Sequence, residues 1–308
     1  MAINSSGVTL AVLTVLAAGL QAQPRPKITG VAHIAIYTKD VAAARAYYTG
    51  YLGYEEAYKL DNADGSLALT FFKINDRQYV ELFPEREPGG DRLNHIALEV
   101  DDLEAMRKYL GSRGYKVPEQ TPKGRTGNLN FTIKDPDGHG VEFVQYLPDS
   151  ESGKRLGKNM PARRISDRMA HVGILVGTLD KALEFYGGVL GFSETWRGGR
   201  EGQPLSWVNA KVPDGDDYVE FMLYGGEIPA PDKRGSAHHL CLFVPDIEKS
   251  KAELAGRPGY GRPLEVRTGI NRRRQLNLFD PDGTRSELME PQTVDGQPAP
   301  WSTAKPPR

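Results

Sequence analysis

The sequence predicts an α+β fold of four βαβββ modules, paired into two cupped-sheet domains. Two observations carry that expectation. A histidine and a glutamate recur at nearly one separation: His33 and Glu81 lie 48 residues apart, His95 and Glu142 47, His171 and Glu220 49, His239 and Glu287 48. The segments around them also repeat. VAHIAIY at 31–37 matches MAHVGILV at 169–176, and NHIALEVDDLEAMRKYLGS at 94–112 matches HHLCLFVPDIEKSKAELAG at 238–256. Quarters one and three match, as do two and four, which is the mark of a duplicated two-module domain.

Taken in order, residues 1–22 read as a signal peptide. The apolar run Val8–Leu20 has the length of a signal h-region and is too short for a comfortable membrane span. Ala22 then precedes cleavage, Gln23 begins the mature chain, and the protein is expected in the periplasm or outside the cell. Residues 28–148 form the first domain. VAHIAIY alternates as a strand, Asp40 caps a helix over VAAARAYYTGYLG, and strand-like runs follow at 55–60, 66–74 and 78–83. The order repeats from Arg92: strand NHIALEV, a helix capped by Asp101 or Asp102, then strands near 115–117 and 128–133, the turn DPDG and the strand GVEFVQY. Residues 149–165 read as a solvated linker, and residues 166–292 as the second domain with the same plan. The proline-rich tail 293–308 is expected to be disordered.

Composition narrows the function. Among 308 residues, 39 basic and 40 acidic side chains leave a net charge of −1, so no global attraction to nucleic acid or anionic membrane is expected. The single cysteine, Cys241, sits in the apolar run HHLCLFV, which excludes an intramolecular disulfide and reads as a small buried residue. The expected partner is a small-molecule substrate.

Strand geometry suggests what the repeated pairs do. On VAHIAIY, His33 shares a face with Ala35 and Tyr37, opposite Ile34 and Ile36. Glu81 likewise points away from Val80 and Leu82. The oily faces meet the helices, so each module offers one histidine and one glutamate on the other, concave face. Pairing two modules brings together two of each, a set suited to a divalent ion with open positions. The candidate ligands are His33, Glu81, His95 and Glu142 in the first domain, and His171, Glu220, His239 and Glu287 in the second. Two near-duplicates need sorting. Parity with NHIALEV selects His239 over His238. Glu287 is chosen over Glu290 because it follows the DPDG aspartate by seven residues, as Glu142 does. His139 reads as a solvated turn residue, and Arg267 and Arg272–Arg274 as a solvated loop.

The sequence resembles the vicinal oxygen chelate superfamily, which includes glyoxalase I, extradiol dioxygenases and drug-binding resistance proteins. The resemblance rests on FYxxxLGF-like runs at 46–54 and 184–192, HxxLxVxD-like runs at His95–Asp102 and His239–Asp246, and DPDG followed by glutamate. It implies paired βαβββ modules, each domain a cupped sheet around one metal. A His-Glu-His-Glu set resembles glyoxalase I and implies lyase or isomerase chemistry, with Glu142 or Glu287 as the base. The metal is zinc, nickel, manganese or iron. An extradiol-type Fe(II) dioxygenase is the alternative, since His171, His239 and Glu287 satisfy its triad. Such enzymes carry a tyrosine three residues before the last Asp-Pro, where this sequence has Asn277, with Thr132 at the first-domain equivalent, and neither segment has their additional histidine. A small-molecule sequestering protein is a further alternative, disfavoured by the intact ligand set.

Overall fold

The computed structural model describes residues 24–224 and 228–305. The N-terminal apolar run read as a signal peptide therefore lies outside the described residues. The first half runs β1 (Ile28–Thr38), α1 (Val41–Arg45), β2 (Glu55–Asp61), β3 (Leu67–Lys73), β4 (Tyr79–Pro84), β5 (Leu93–Val100), α2 (Leu103–Ser112), β6 (Leu129–Lys134) and β7 (Gly140–Gln145). The second runs β8 (Met169–Val176), α3 (Leu179–Ala182), β9 (Ser193–Gly198), β10 (Trp207–Lys211), β11 (Tyr218–Leu223), β12 (His239–Phe243), α4 (Ile247–Ala255), β13 (Val266–Thr268), β14 (Arg273–Phe279) and β15 (Arg285–Thr293). No helix among the described residues is long and apolar enough to cross a membrane.

Local chemistry sets the helix starts. Asp40, Asp102 and Asp246 each accept hydrogen bonds from backbone amides of the first turn of α1, α2 and α4. α1 and α3 continue as π-helical segments, Ala46–Tyr51 and Leu183–Val189. Gly53 then turns the chain at φ +83°, where a Cβ would lie 2.3 Å from the Arg163 carbonyl oxygen, so no other residue fits.

The strands form two sheets, ordered β2-β3-β4-β1-β5-β7-β6 and β13-β14-β15-β12-β8-β11-β10-β9. In each, the two modules join through their first strands, β1 against β5 and β8 against β12, both antiparallel. The second module has one strand fewer than expected. Tyr115 and Val117 are not in a strand but lie in an irregular segment packed against the core.

One continuous core runs through both halves. Ile34 and Ile36 of β1, Tyr48 of the first π-helical segment, Leu110 of α2 and Val172 of β8 belong to the same buried cluster. The DPDG turns lock the halves together. Asp282 accepts hydrogen bonds from Thr38 Oγ1 at 2.6 Å and the Lys39 amide at 2.9 Å, while Asp137 accepts from the Gly177 amide at 3.2 Å. Beside them Tyr186 donates to Asp135 at 3.1 Å, and Tyr48 to Asp280 at 3.4 Å.

Two segments expected to be loose are packed. The linker lies on the first domain: Ser150 and Ser152 are buried, Lys73 donates to the Lys158 carbonyl at 2.9 Å, and Arg155 donates to the Ala57 carbonyl at 2.6 Å. A buried lysine needs such acceptors, so the strap follows from Lys73 as much as from its own sequence. The described part of the tail packs against the second sheet. The Trp196 indole donates to the Pro300 carbonyl at 3.0 Å, and Lys305 pairs with Pro204 beside β10.

Candidate metal centres

Each sheet presents its four candidate ligands from four adjacent central strands. In the first sheet Glu81, His33, His95 and Glu142 come from β4, β1, β5 and β7. Small residues stand between them. Ala35 lies opposite both Glu81 and His95, and Ala97 opposite both His33 and Glu142. The four longer side chains can therefore lean toward one point. The second sheet repeats the pattern, with Glu220, His171, His239 and Glu287 on β11, β8, β12 and β15, and Gly173 and Cys241 at the small positions. Cys241 is buried, as expected of a small apolar residue. All eight candidate ligands are at most 8% exposed.

The first cup is tight. His33 Nε2 lies 2.9 Å from His95 Nε2 and 3.4 Å from Glu81 Oε1, and His95 Nε2 lies 3.2 Å from Glu142 Oε2. Asn130 Nδ2 donates to Glu142 Oε1 at 3.0 Å and holds that carboxylate in place. His95 Nδ1 faces Asn94 Oδ1 at 3.0 Å, which orients the imidazole with Nε2 inward. A cavity of about 190 Å³ opens above, with Tyr58, Phe71, Tyr79 and Tyr146 among its walls. The Tyr79 hydroxyl is buried there without a hydrogen-bond partner.

The charges of this cup call for a cation. Burial lowers His33 to about 3, so its imidazole is neutral and free to ligate. Burial, and then the charge of Glu142, push Glu81 well above the usual carboxylate range. For Glu142 burial acts in the same upward sense, but the hydrogen bond from His95, the nearness of His33 and the hydrogen bond from Asn130 outweigh it and lower that carboxyl. The mutual repulsion that raises Glu81 is one that a divalent ion would relieve, and His33, Glu81 and His95 bring one ligand atom each within 4.8 Å of one another. The donor set therefore fits a metal, which His33, Glu81 and His95 would hold with Glu142 beside them.

The second cup has the same donors and one more group. His171 Nε2 lies 3.0 Å from His239 Nε2, and His239 Nε2 lies 3.4 Å from Glu220 Oε2 and 3.5 Å from Glu287 Oε2. Arg285 enters from β15, its Nη2 2.9 Å from His239 Nδ1 and 3.0 Å from His239 Nε2. Burial pushes Glu287 up, but the His239 hydrogen bond and the Arg285 charge hold it down at about 2. His171, His239 and Glu287 bring one ligand atom each within 4.8 Å of one another, as the first set does, and Arg285 adds a fixed positive charge beside them.

Other candidates fall outside the cups. His238 points away, buried, with Nδ1 3.0 Å from Asp91 Oδ1. Glu290 caps α4 through the Ile247 amide at 2.9 Å and pairs with Arg274. His139 is not a free turn residue: its Nδ1 lies 2.8 Å from Asp135 Oδ2 and its ring packs edge-on against His238 at 5.2 Å. Arg267, read as part of a solvated loop, lines the cavity of the second cup, whereas Arg272 pairs with Asp295 outside it. Sequence reasoning passed over Asn130 and Arg285. The second had a visible signal, since DPDGHGVE and DPDGTRSE differ at the position two before the glutamate, Gly140 against Arg285.

Comparison with known proteins agrees with this architecture. A family model described as the glyoxalase/bleomycin resistance protein/dioxygenase superfamily matches residues 30–143 and 168–288. A lactoylglutathione lyase of Neisseria meningitidis is 28% identical over 128 residues, covering 39% of this chain and 93% of that protein. A metapyrocatechase of Geobacillus stearothermophilus is 24% identical over 289 residues, covering 87% of this chain and 82% of that protein. Among solved structures, the 2,3-dioxygenase LapB from Pseudomonas sp. KL28 superposes with a TM-score of 0.65 at 17% identity, covering 91% of this chain and 99% of that one.

Proposed function

Because the chain belongs to the glyoxalase/bleomycin resistance protein/dioxygenase superfamily across both halves, we propose that it is a metal-dependent lyase or isomerase of the glyoxalase kind. Its substrate is a small oxygenated molecule bound in the first cup. The observation that carries this reading is the buried set His33, Glu81, His95 and Glu142 at the floor of an aromatic-walled cavity.

A divalent ion on those four residues would serve as a Lewis acid for a substrate oxygen that gains charge during the reaction. The remaining work belongs to side chains of this protein. Glu142, fixed by Asn130, is the carboxylate placed to move a proton between neighbouring atoms of the substrate. The Tyr79 ring adds to the aromatic wall beside Glu81. Tyr58, Phe71 and Tyr146 give an apolar body a surface to lie on, and the size of the cavity limits that body to a small molecule. Orientation against a rigid four-strand floor is the main contribution expected of the fold.

The first test is metal content. Stripped and reconstituted protein should hold about one equivalent per chain, and His33→Ala should lose it. Less than about a tenth of an equivalent in the unaltered protein would sink the reading. With the ion in place, Glu142→Gln should retain it, because the amide oxygen still ligates, and should abolish turnover. Formation of lactoylglutathione, after which one relative is named, is the first activity to assay.

A second reading is an extradiol-type Fe(II) ring-cleavage dioxygenase, favoured by the metapyrocatechase match along most of the chain. It would use His171, His239 and Glu287. Arg285 against His239, and Asn277 where such enzymes carry tyrosine, weigh against it. Catechol-dependent oxygen uptake that disappears in His239→Ala would reverse the ranking.

A further inference from the structure

The two cups differ at the positions that flank their third ligand. In the first, His95 stands between Ala35 on β1 and Gly140 on β7. In the second, His239 stands between Gly173 on β8 and Arg285 on β15. Both neighbours have changed, and in opposite senses. A large cationic side chain has entered on one side, and a methyl group has left on the other.

The two exchanges are coupled by sterics. A Cβ built on Gly173 would lie 1.9 Å from His239 Cε1 and 2.1 Å from His239 Nδ1, so the imidazole occupies the space where the first cup keeps the methyl of Ala35. On the other side, a Cβ on Gly140 would lie 2.9 Å from the Cβ of His95, so the first cup as built has little room for a side chain there. The second cup is thus shaped around an arginine and the first is shaped against one.

Charge and donor direction agree. His239 Nδ1 lies 2.6 Å from the Ala237 carbonyl and can donate only there, which leaves Nε2 as the nitrogen facing the cup. Arg285 Nη2 lies across the imidazole, 2.9 Å from Nδ1 and 3.0 Å from that Nε2. A guanidinium does not lose its proton, so the charge is permanent. It stands beside the nitrogen that an ion would need and repels a second cation from it.

We propose that the guanidinium of Arg285 serves as the resident cation of the second cup, so that the protein binds a single divalent metal, in the first cup. The repeated ligand set then describes two different sites. One holds an exchangeable ion. The other holds a covalently attached cation against His239, between the same buried carboxylates' strands. The inference rests on the metal reading of the first cup only for where the single ion sits; the claim about the second cup stands on Arg285 and Gly173.

Equilibrium dialysis against Co²⁺, with the absorbance of the bound ion as an independent readout, tests it. The unaltered protein should bind about one ion per chain, lost in His33→Ala. Arg285→Gly should bind about two, the second with its own absorbance. The double variant Arg285→Gly with Gly173→Ala, which restores the first cup's flanking pair, guards against a second cup that collapses when the arginine is removed. Thermal unfolding shows whether each variant is folded. Two ions in the unaltered protein, or one that His33→Ala leaves in place, would overturn the proposal, as would folded single and double variants that gain nothing. If the unaltered protein binds none, the proposed function fails, yet a gain of one ion in Arg285→Gly would still uphold the role of the arginine.

Discussion

At the residue scale the informative side chains are those beside the ligands. Asn130 hydrogen-bonds to Glu142, so its replacement separates orientation from ligation. Asn130→Leu should leave metal content near that of the unaltered protein and lower kcat about 10-fold or more, with KM changed less, because a freed carboxylate must be repositioned in each turnover. An equal loss of metal and of rate would instead make Asn130 part of the binding site. The eight candidate positions were legible because they repeat at four equivalent places in otherwise divergent modules. Arg285 was equally visible as a letter. Its meaning was not, because a residue two before a glutamate has no partner until β12 and β15 are paired and His239 is found beside it.

At the scale of elements the DPDG turns do more than reverse the chain. Each reaches across to the first strand and helix of the other half. Asp280 is buried in this joint, and burial, with the charge of Asp282 adding, raises its carboxyl from 3.8 to about 6. The folded protein therefore keeps a proton there that the unfolded chain releases between those values. That contribution favours the fold at acid pH and is lost as pH rises through about 6. At about 1.4 kcal/mol per pH unit the effect is on the order of 3 kcal/mol. Asp280→Asn can still accept the amides of Asp282 and Thr284 that hold the turn. Its thermal midpoint should therefore exceed that of the unaltered protein at pH 8 by more than it does at pH 5; an equal difference at both would remove Asp280 as the source. Helix starts and alternating strands were readable, because caps and period-two patterns are local. The absent strand at 115–117 was not, since Tyr115 and Val117 have strand-like composition but pack against the core from an irregular segment.

At the scale of the molecule the two sheets share one core and exchange hydrogen bonds at both DPDG turns. Neither half closes its own apolar surface. Unfolding should therefore be a single transition, with calorimetric and van't Hoff enthalpies equal, in spite of two family-model matches along the chain. Two resolved transitions would show that the halves are independent. The same packing holds the linker and the described part of the tail. The first supplies acceptors to buried Lys73, and the second lies against Trp196 and β10.

By itself the sequence determined the duplicated βαβββ plan, the pairing of modules within each half and the positions of eight inward-facing histidines and glutamates. These depend on periodicity and repetition, which are properties of a string. Only the tertiary structure decided which neighbours flank each ligand: Ala35 and Gly140 beside His95, Gly173 and Arg285 beside His239. That distinction depends on strand register and on the space left by an absent methyl group, and through them the structure makes two similar ligand sets into two chemically different cups.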